Sequence, residues 1–546
     1  MKLYKYLYLL PSFAFMVTSC NLDEIPEGGT ITSDQKDEIQ SKDPSKLKAD
    51  VIGLSSNLIK YNSIGEWYGG TAHFDFGFAS ACMMYDASGM DMPSEDTGYN
   101  WYRSQLRMTD RTETGTNTYY FWNLFYSEIK MANDILKVAT ADVEDKALKQ
   151  YRGQALATRA WSYLNLVQIY QFTYKGHENA PAVPIVTEET TGEQAASNPR
   201  ATVAAVYDLI MKDLTDAIGL LTADRDSKDQ VNINVAYGLR ARANLLMQNW
   251  QDAATDAEKA MEGYTPYSRN DVSKPSFNDS NASSWIWGNV VTETNDIVQS
   301  GILNFPSHMC SFTGNGYAPG YAGRYINSKL YSQIPDTDVR KGWWALGDPV
   351  YDENNKLLGY DFTGKCPNVD WTWKYNYQGV DYNIADWLGW QAPYLNVKFG
   401  PYQNVYNNAT NACDFPMMRA EEMILIKAEA QAMAGNVSGA KSTLENFVKN
   451  YRDPSYVCSV SSAEALQDEI WFQRRVELWG EGFSFFDMMR LKKPMDRTGA
   501  NYAANVAFSL PAESQIFLWL IPEDEINNNS GISKDDNNPV VSVPTI

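Results

Sequence analysis

Two stretches of the chain, 236–263 and 423–450, align without gaps at an offset of 187 residues. Ala241 falls on Ala428, Ala243 on Ala430 and Ala253 on Ala440, while Trp250 falls on Val437 where each second helix begins. A helix, a tight polar turn and a second helix with small residues at the crossing make an αα-hairpin, because small side chains let two helix backbones approach closely. A sequence that carries this unit twice is committed to a helical framework. The stretches before the first copy agree. Residues 151–170 carry Tyr151, Ala155, Leu156, Ala160, Tyr163, Leu164, Val167 and Tyr170, and residues 203–221 carry Val203, Val206, Tyr207, Ile210, Leu214, Ala217, Ile218 and Leu221. Spacings of three and four put each set on one helix face. Thr202 has the side chain and position of an N-cap.

The expected fold is therefore mostly α, built on tetratricopeptide-like hairpins, with helices over about 120–263, again over 416–451, and again over 462–491. His177 to Arg200 contains three prolines and reads as a connecting loop. From 264 to about 415 the periodicity stops. Residues 285–390 hold eight of the 16 tryptophans, in runs such as SSWIWGN, GWWALGD, DWTWKYNYQG and DWLGWQAPY. An irregular stretch this long is uncommon in a compact protein and is usually functional. It is read as a loop-rich ligand face inserted between the hairpins.

The amino terminus reads as an address. Lys2 and Lys5 precede an apolar run from Leu7 to Val17, then Val17-Thr18-Ser19-Cys20. The charged start, short apolar stretch and small-residue cleavage region make a secretory leader, residues 1–19. The run is too short to span a bilayer, which takes about 20 residues. The mature body would then cover 20–546, with 44 basic against 67 acidic side chains.

Several function classes are excluded or disfavoured. The full chain carries a net charge of −21, which argues against a nucleic-acid partner, since neutralising phosphates takes a basic face. The three histidines, at 73, 177 and 308, are far apart in sequence, so no HExxH motif or multi-histidine metal site is expected. There is no GxSxG elbow, no Walker A loop and no deaminase pattern, and no cofactor is expected. Gly314-Asn315-Gly316 and Asp352-Glu353-Asn354-Asn355 read as turns. Beyond Cys20, cysteines stand at 82, 310, 366, 413 and 458, an odd number that leaves at least one thiol unpaired.

Taken together, the motifs resemble the SusD/RagB family of Bacteroidetes nutrient-binding lipoproteins along nearly the whole mature chain. ASACMMYDASGMDM (79–92) with GYNWY (98–102), FWNLFYSEIKMANDIL (121–136), ALATRAWSYLNLVQIY (155–170), PAVPIV (181–186), FPMMRAEEMILIKAEA (415–430), QRRVELWGEGFSFFDMMRLKKP (473–494) and LIPEDEINNN (520–529) follow the family's order. Two positions depart from it: Gln473 replaces an acidic residue, and Ser484 stands where an arginine is usual. The resemblance implies acylation of Cys20, anchoring on the outer membrane facing the exterior, glycan binding, and delivery to a SusC-like TonB-dependent transporter. The rival readings are a peptide-binding RagB-like uptake protein and a surface glycosidase.

The residues themselves bear on those rivals. Arg474, Glu477, Glu481, Asp487 and Arg490 stand at helical spacings among arginines and read as a structural charge network. Glycosidase carboxylates must face one another across a cleft. No catalytic residue is therefore assigned. Sugar rings present a C–H face that suits a flat aromatic and a hydroxyl edge that suits Asn, Asp or Gln. On that basis, and because family members often carry ligand contacts at the matching positions, Asn100 and Trp101 are ranked first as ligand-binding residues. Trp285, Trp287, Trp343 and Trp344 follow, with half or more of the eight clustered tryptophans expected in the core.

Overall fold

The computed structural model describes residues 43–61, 72–388 and 391–543; Cys20 and the leader lie outside them. The main helices are α1 (Pro44–Ser56), α2 (Phe78–Ser88), α3 (Thr116–Val138), α4 (Lys146–Tyr170), α5 (Val203–Leu220), α6 (Ile233–Met247), α7 (Trp250–Ala260), α8 (Ala420–Met433), α9 (Val437–Tyr451), α10 (Ala463–Glu477) and α11 (Ser484–Arg490). From α3 to α9 each packs on the next in chain order, α7 against α8 across the long insertion, and α10 lies on α8. Caps set the starts. Asp145 accepts from the Ala147 and Leu148 amides at 2.8 and 3.0 Å, Thr202 from Ala205 at 3.2 Å, and Ser462 from Ala465 at 3.1 Å. Each cap satisfies amides that a helix start leaves without partners.

The repeated hairpins are α6–α7 and α8–α9. Trp250 and Val437 are the first residues of their second helices, and Ala253 and Ala440 are both fully buried. The correspondence extends into the turns. Gln248 and Gly435 both take the left-handed conformation, with φ of 62° and 87°, and each is followed by an asparagine, Asn249 or Asn436, immediately before the next helix.

One expected helix start is wrong. Residues 415–419 form a strand, β8 (Phe415–Arg419), antiparallel to β1 (Trp285–Asn289), rather than the first turn of α8. All five residues are buried. An apolar run this short gives no period to distinguish strand from helix. The helical stretch expected over 462–491 is made of α10 and α11, with Gly480 and Gly482 at φ of 80° and 85° in the turn between them.

Among the described residues, no element between Tyr264 and Asp414 exceeds five residues. These short pieces enclose a second, smaller core of Phe312, Tyr325, Phe362, Ile384, Leu388 and Leu395. Two hairpins stand on it: β3 (Asp348–Tyr351) with β4 (Leu357–Asp361), and β5 (Lys374–Tyr377) with β6 (Val380–Asn383). Cys82, Cys310, Cys366, Cys413 and Cys458 are all buried free thiols.

The charge network is buried at the join of the helices. Glu477 accepts from Arg452 at 2.8 Å through both carboxylate oxygens, and from Arg340 and Arg419 at 3.3 Å. Glu481 accepts from Arg419 at 2.8 and 2.9 Å and from Lys398 at 2.7 Å. Surrounded by cations, the Glu477 carboxyl is held well below the usual carboxylate range despite its burial, with Arg452 the largest favourable influence. The two departures from the family pattern are absorbed. The Gln473 carbonyl accepts from Arg340 at 2.6 Å, and the Ser484 hydroxyl donates to Asp91, which also pairs with Arg475.

Candidate functional site

Two loops carry the candidate site. The first runs from Ser94 to Trp101, and Asn100 is its clasp. Its amide donates to the Ser94 hydroxyl at 3.0 Å and the Glu95 carbonyl at 2.7 Å, and its side-chain carbonyl accepts from the Tyr102 amide at 3.1 Å. This is the turn chemistry that asparagine favours. It sends Tyr102 into the core and leaves Trp101 at the surface. The second loop, 314–325, meets it through a bridge between Ser94 and Arg324 and a hydrogen bond from the Tyr325 amide to the Pro93 carbonyl at 3.0 Å. Gly316 makes this possible: a Cβ there would stand 2.5 Å from the Ser307 Cα. Close approach lets the Tyr317 and Ala318 amides both donate to the Ser307 carbonyl, at 2.7 and 2.8 Å.

The loops together present an aromatic platform. Trp101 lies face to face on His73, with ring centroids 4.2 Å apart and planes at 19°. Tyr317 stands edge-on to Trp101 at 6.2 Å and shares a hydrogen bond with His73 Nδ1. Beside them Tyr99 and Tyr321 pair at 4.7 Å. Tyr99, Trp101 and Tyr321 are 55%, 36% and 58% exposed, and the other tryptophans among the described residues are buried or half-buried. Glu95, Asp96, Arg103 and Asn505 lie nearby, with Arg107 paired to Asp96 at 2.7 Å and Asn505 bonded to it.

Beneath the platform is His308. Its Nε2 lies 2.9 Å from the His73 carbonyl, which can only accept, so Nε2 carries the proton. His308 stacks under Tyr317 at 4.9 Å. Burial, reinforced by the Arg324 charge, drives its pKa well below the ordinary histidine value, and burial also lowers that of His73. The stack is therefore uncharged near neutral pH.

Of the residues ranked from sequence, only Trp101 offers a surface. Asn100 is 2% exposed and spends its polar atoms within its own loop, so it shapes the site without facing it. Trp285, Trp287, Trp343 and Trp344 are core residues with no surface to offer a ligand; all four are at most 2% exposed. Trp287 packs edge-on against Trp161 at 5.5 Å and donates to the Asp229 carbonyl at 2.9 Å. Trp343 donates to the Val272 carbonyl at 2.9 Å, and Trp344 packs edge-on against Trp479 at 5.6 Å. The reason is tertiary. All five residues of β1 are buried, and the strand β2 (Trp344–Ala345), paired with β7 (Leu395–Asn396), carries Trp344 into the main core. Trp371, Trp373 and Trp387 are half-buried. Sequence reasoning missed His73, Tyr317 and Tyr321. The one available signal was the spacing of tyrosines in the Gly-rich run GNGYAPGYAGRY.

Comparison with known proteins places this architecture. A family profile described as starch-binding and associating with the outer membrane, SusD-like, matches residues 81–245, and the SusD family profile matches 250–539. A SusD-like protein of Formosa agariphila is 22% identical over 424 residues, covering 71% of this chain and 75% of that one. Among solved structures, a SusD-like carbohydrate-binding protein from Bacteroides vulgatus superposes with a TM-score of 0.69 at 22% identity, over 92% of this chain and 99% of that one. A SusD superfamily protein from Bacteroides thetaiotaomicron gives 0.68 at 20% identity, over 91% and 99%. A laminarin-binding SusD-like protein gives 0.62 at 18% identity, again over 91% and 99%. With one family profile spanning more than half of its length and the same fold found in the solved relatives, this chain belongs to the SusD family.

Proposed function

We propose that this protein captures a glycan at the cell surface on the Tyr99–Trp101–Tyr321 platform and delivers it to a SusC-like TonB-dependent transporter, while acyl chains on Cys20 hold the mature body to the outer membrane. The observation that carries the reading is the exposed Trp101 ring, braced on one face by His73. A braced, uncharged aromatic stack suits the C–H face of a sugar, and the polar fringe of Glu95, Asp96, Arg103 and Asn505 suits its hydroxyls. The net charge of −21 favours a neutral glycan over an acidic one. The laminarin-binding relative of the same fold supports a carbohydrate ligand. Binding rather than hydrolysis is favoured because Glu477 and Glu481 are locked in buried ion pairs instead of facing a cleft.

The test is isothermal titration of the protein against laminarin, maltoheptaose, xylan and a set of random hexapeptides side by side. Saturable binding of one neutral glycan, weakened roughly 10-fold in Trp101→Ala, supports the reading. Binding of peptides alone would overturn it.

A further inference from the structure

A cavity lies away from the platform, where α2, α4, α6, α8, α10 and α11 meet. Its volume is about 80 Å³, and none of its lining residues belongs to the aromatic platform. Its apolar wall includes Phe78, Trp161, Leu246 and Phe486. Two polar groups on the same wall have no hydrogen-bond partner: the Tyr85 hydroxyl and Arg474 Nη1. Both side chains are deeply buried, with the residues 1% and 3% exposed.

The other charges on the wall are paired. Arg474 Nε donates to Asp487 at 2.7 Å, Arg490 pairs with Asp487 at 2.7 Å and with Glu429 at 2.6 Å, and Arg242 grips Glu422 through two 2.7 Å bonds. The carboxylates are thus committed, while Arg474 Nη1 and the Tyr85 hydroxyl, on residues that line the cavity, remain without a partner. A buried donor left unmade costs its full desolvation, so such a pair calls for an acceptor. Burial raises the Tyr85 phenol far above its ordinary pKa, which keeps it a donor at any physiological pH. Asn165, Gln168 and Arg242 on the wall are part-exposed and give the cavity a route to the surface.

We propose that this cavity is a binding site for a small carboxylate of acetate or propionate size, whose oxygens accept from Arg474 Nη1 and the Tyr85 hydroxyl while its alkyl end packs on Trp161 and Phe486. The size follows from the volume, since a dry cavity of ~150 Å³ accommodates benzene, and this one is about half that. The charge follows from the arginine, which shares its one carboxylate partner, Asp487, with Arg490.

The test uses the full-length protein in detergent, with thermal melting and ligand-observed NMR in sodium propionate, sodium acetate, acetamide and sodium chloride at matched ionic strength. Propionate is expected to bind saturably and raise the melting temperature, with acetamide and chloride weaker by about tenfold or more. Tyr85→Phe is expected to weaken propionate binding by about 5- to 10-fold without lowering the melting temperature of the unliganded protein, because the hydroxyl it removes has no protein partner. Arg474→Gln is expected to remove the preference for carboxylate over acetamide; if it does not fold, Tyr85→Phe alone decides. Equal effects of propionate and chloride, or unchanged affinity in Tyr85→Phe, would show that only water occupies the cavity and would overturn the proposal.

Discussion

Replacing Trp101 by alanine tests the proposed site most directly. Trp101 is 36% exposed, which for a side chain of this size leaves roughly 90 Å² for a ligand to cover. At about 25 cal/mol per Å², covering half to all of it contributes about 1–2 kcal/mol, comparable with the 0.5–1.5 kcal/mol of a stacked aromatic pair. Since 1.4 kcal/mol is a factor of ten, affinity should fall roughly 10-fold. The fold should tolerate the change. The change removes the stack of Trp101 on His73 and its contact with Tyr317, whereas a fully buried tryptophan costs about 3–5 kcal/mol when truncated. The paired control is Trp344→Ala, in the core against Trp479, which should lower the melting temperature sharply. Calorimetric titration with the glycan that binds best, together with thermal melting of both variants, separates the cases. Unchanged affinity in Trp101→Ala with a melting loss as large as that of Trp344→Ala would show that Trp101 is a structural cover, and the platform assignment would fall.

Tyr321→Ala should weaken binding of the same glycan about as much as Trp101→Ala, with little change in stability, by the same titration. Glu477→Gln should destabilise the protein by about 3 kcal/mol in chemical denaturation, because Arg340, Arg419 and Arg452 would then be buried around a neutral side chain. His308 sets a pH dependence. It is enclosed by His73, Tyr102, Tyr317 and Arg324, and its folded pKa is depressed, so the unfolded chain binds more protons and stability rises with pH. Its contribution is complete above about pH 6.5 and is lost as pH falls below that value. Asp86 and Glu128, pushed up to about 8 by burial, act in the opposite sense, losing stability as pH rises toward 8. The His308 effect is therefore read as the difference in slope between the native protein and His308→Gln, measured by denaturant midpoints between pH 5 and 7.5. Cys20→Ala should release the protein from the membrane fraction, and persistence there through acyl chains would refute the anchor.

Helices and their caps were legible because a helix is encoded locally. The helix read from Tyr151 to Tyr170, the Thr202 cap and the two hairpins at an offset of 187 each depend on residues a few positions apart, and all appear in the structure, although the first is buried all round from Gly153 to Leu164 rather than along one face. The charge network was legible in kind, since glutamates among arginines on one helix read as ion pairs. Its partners Arg340, Lys398, Arg419 and Arg452 were not, because they come from four distant segments. The same limit explains the tryptophans. Whether a tryptophan in an irregular segment is a ligand surface or core depends on what covers it, and in 264–415 no period reveals that. Trp285 and Trp287 are buried because β8, more than a hundred residues later, pairs with their strand, and Trp101 is exposed because Asn100 turns its loop outward. Tertiary structure alone brought His73 and His308, 235 residues apart, within 2.9 Å and set Tyr317 and Tyr321 beside Trp101. Local sequence determined the scaffold because helix formation is a short-range equilibrium, whereas the platform exists only where packing brings distant loops to one surface.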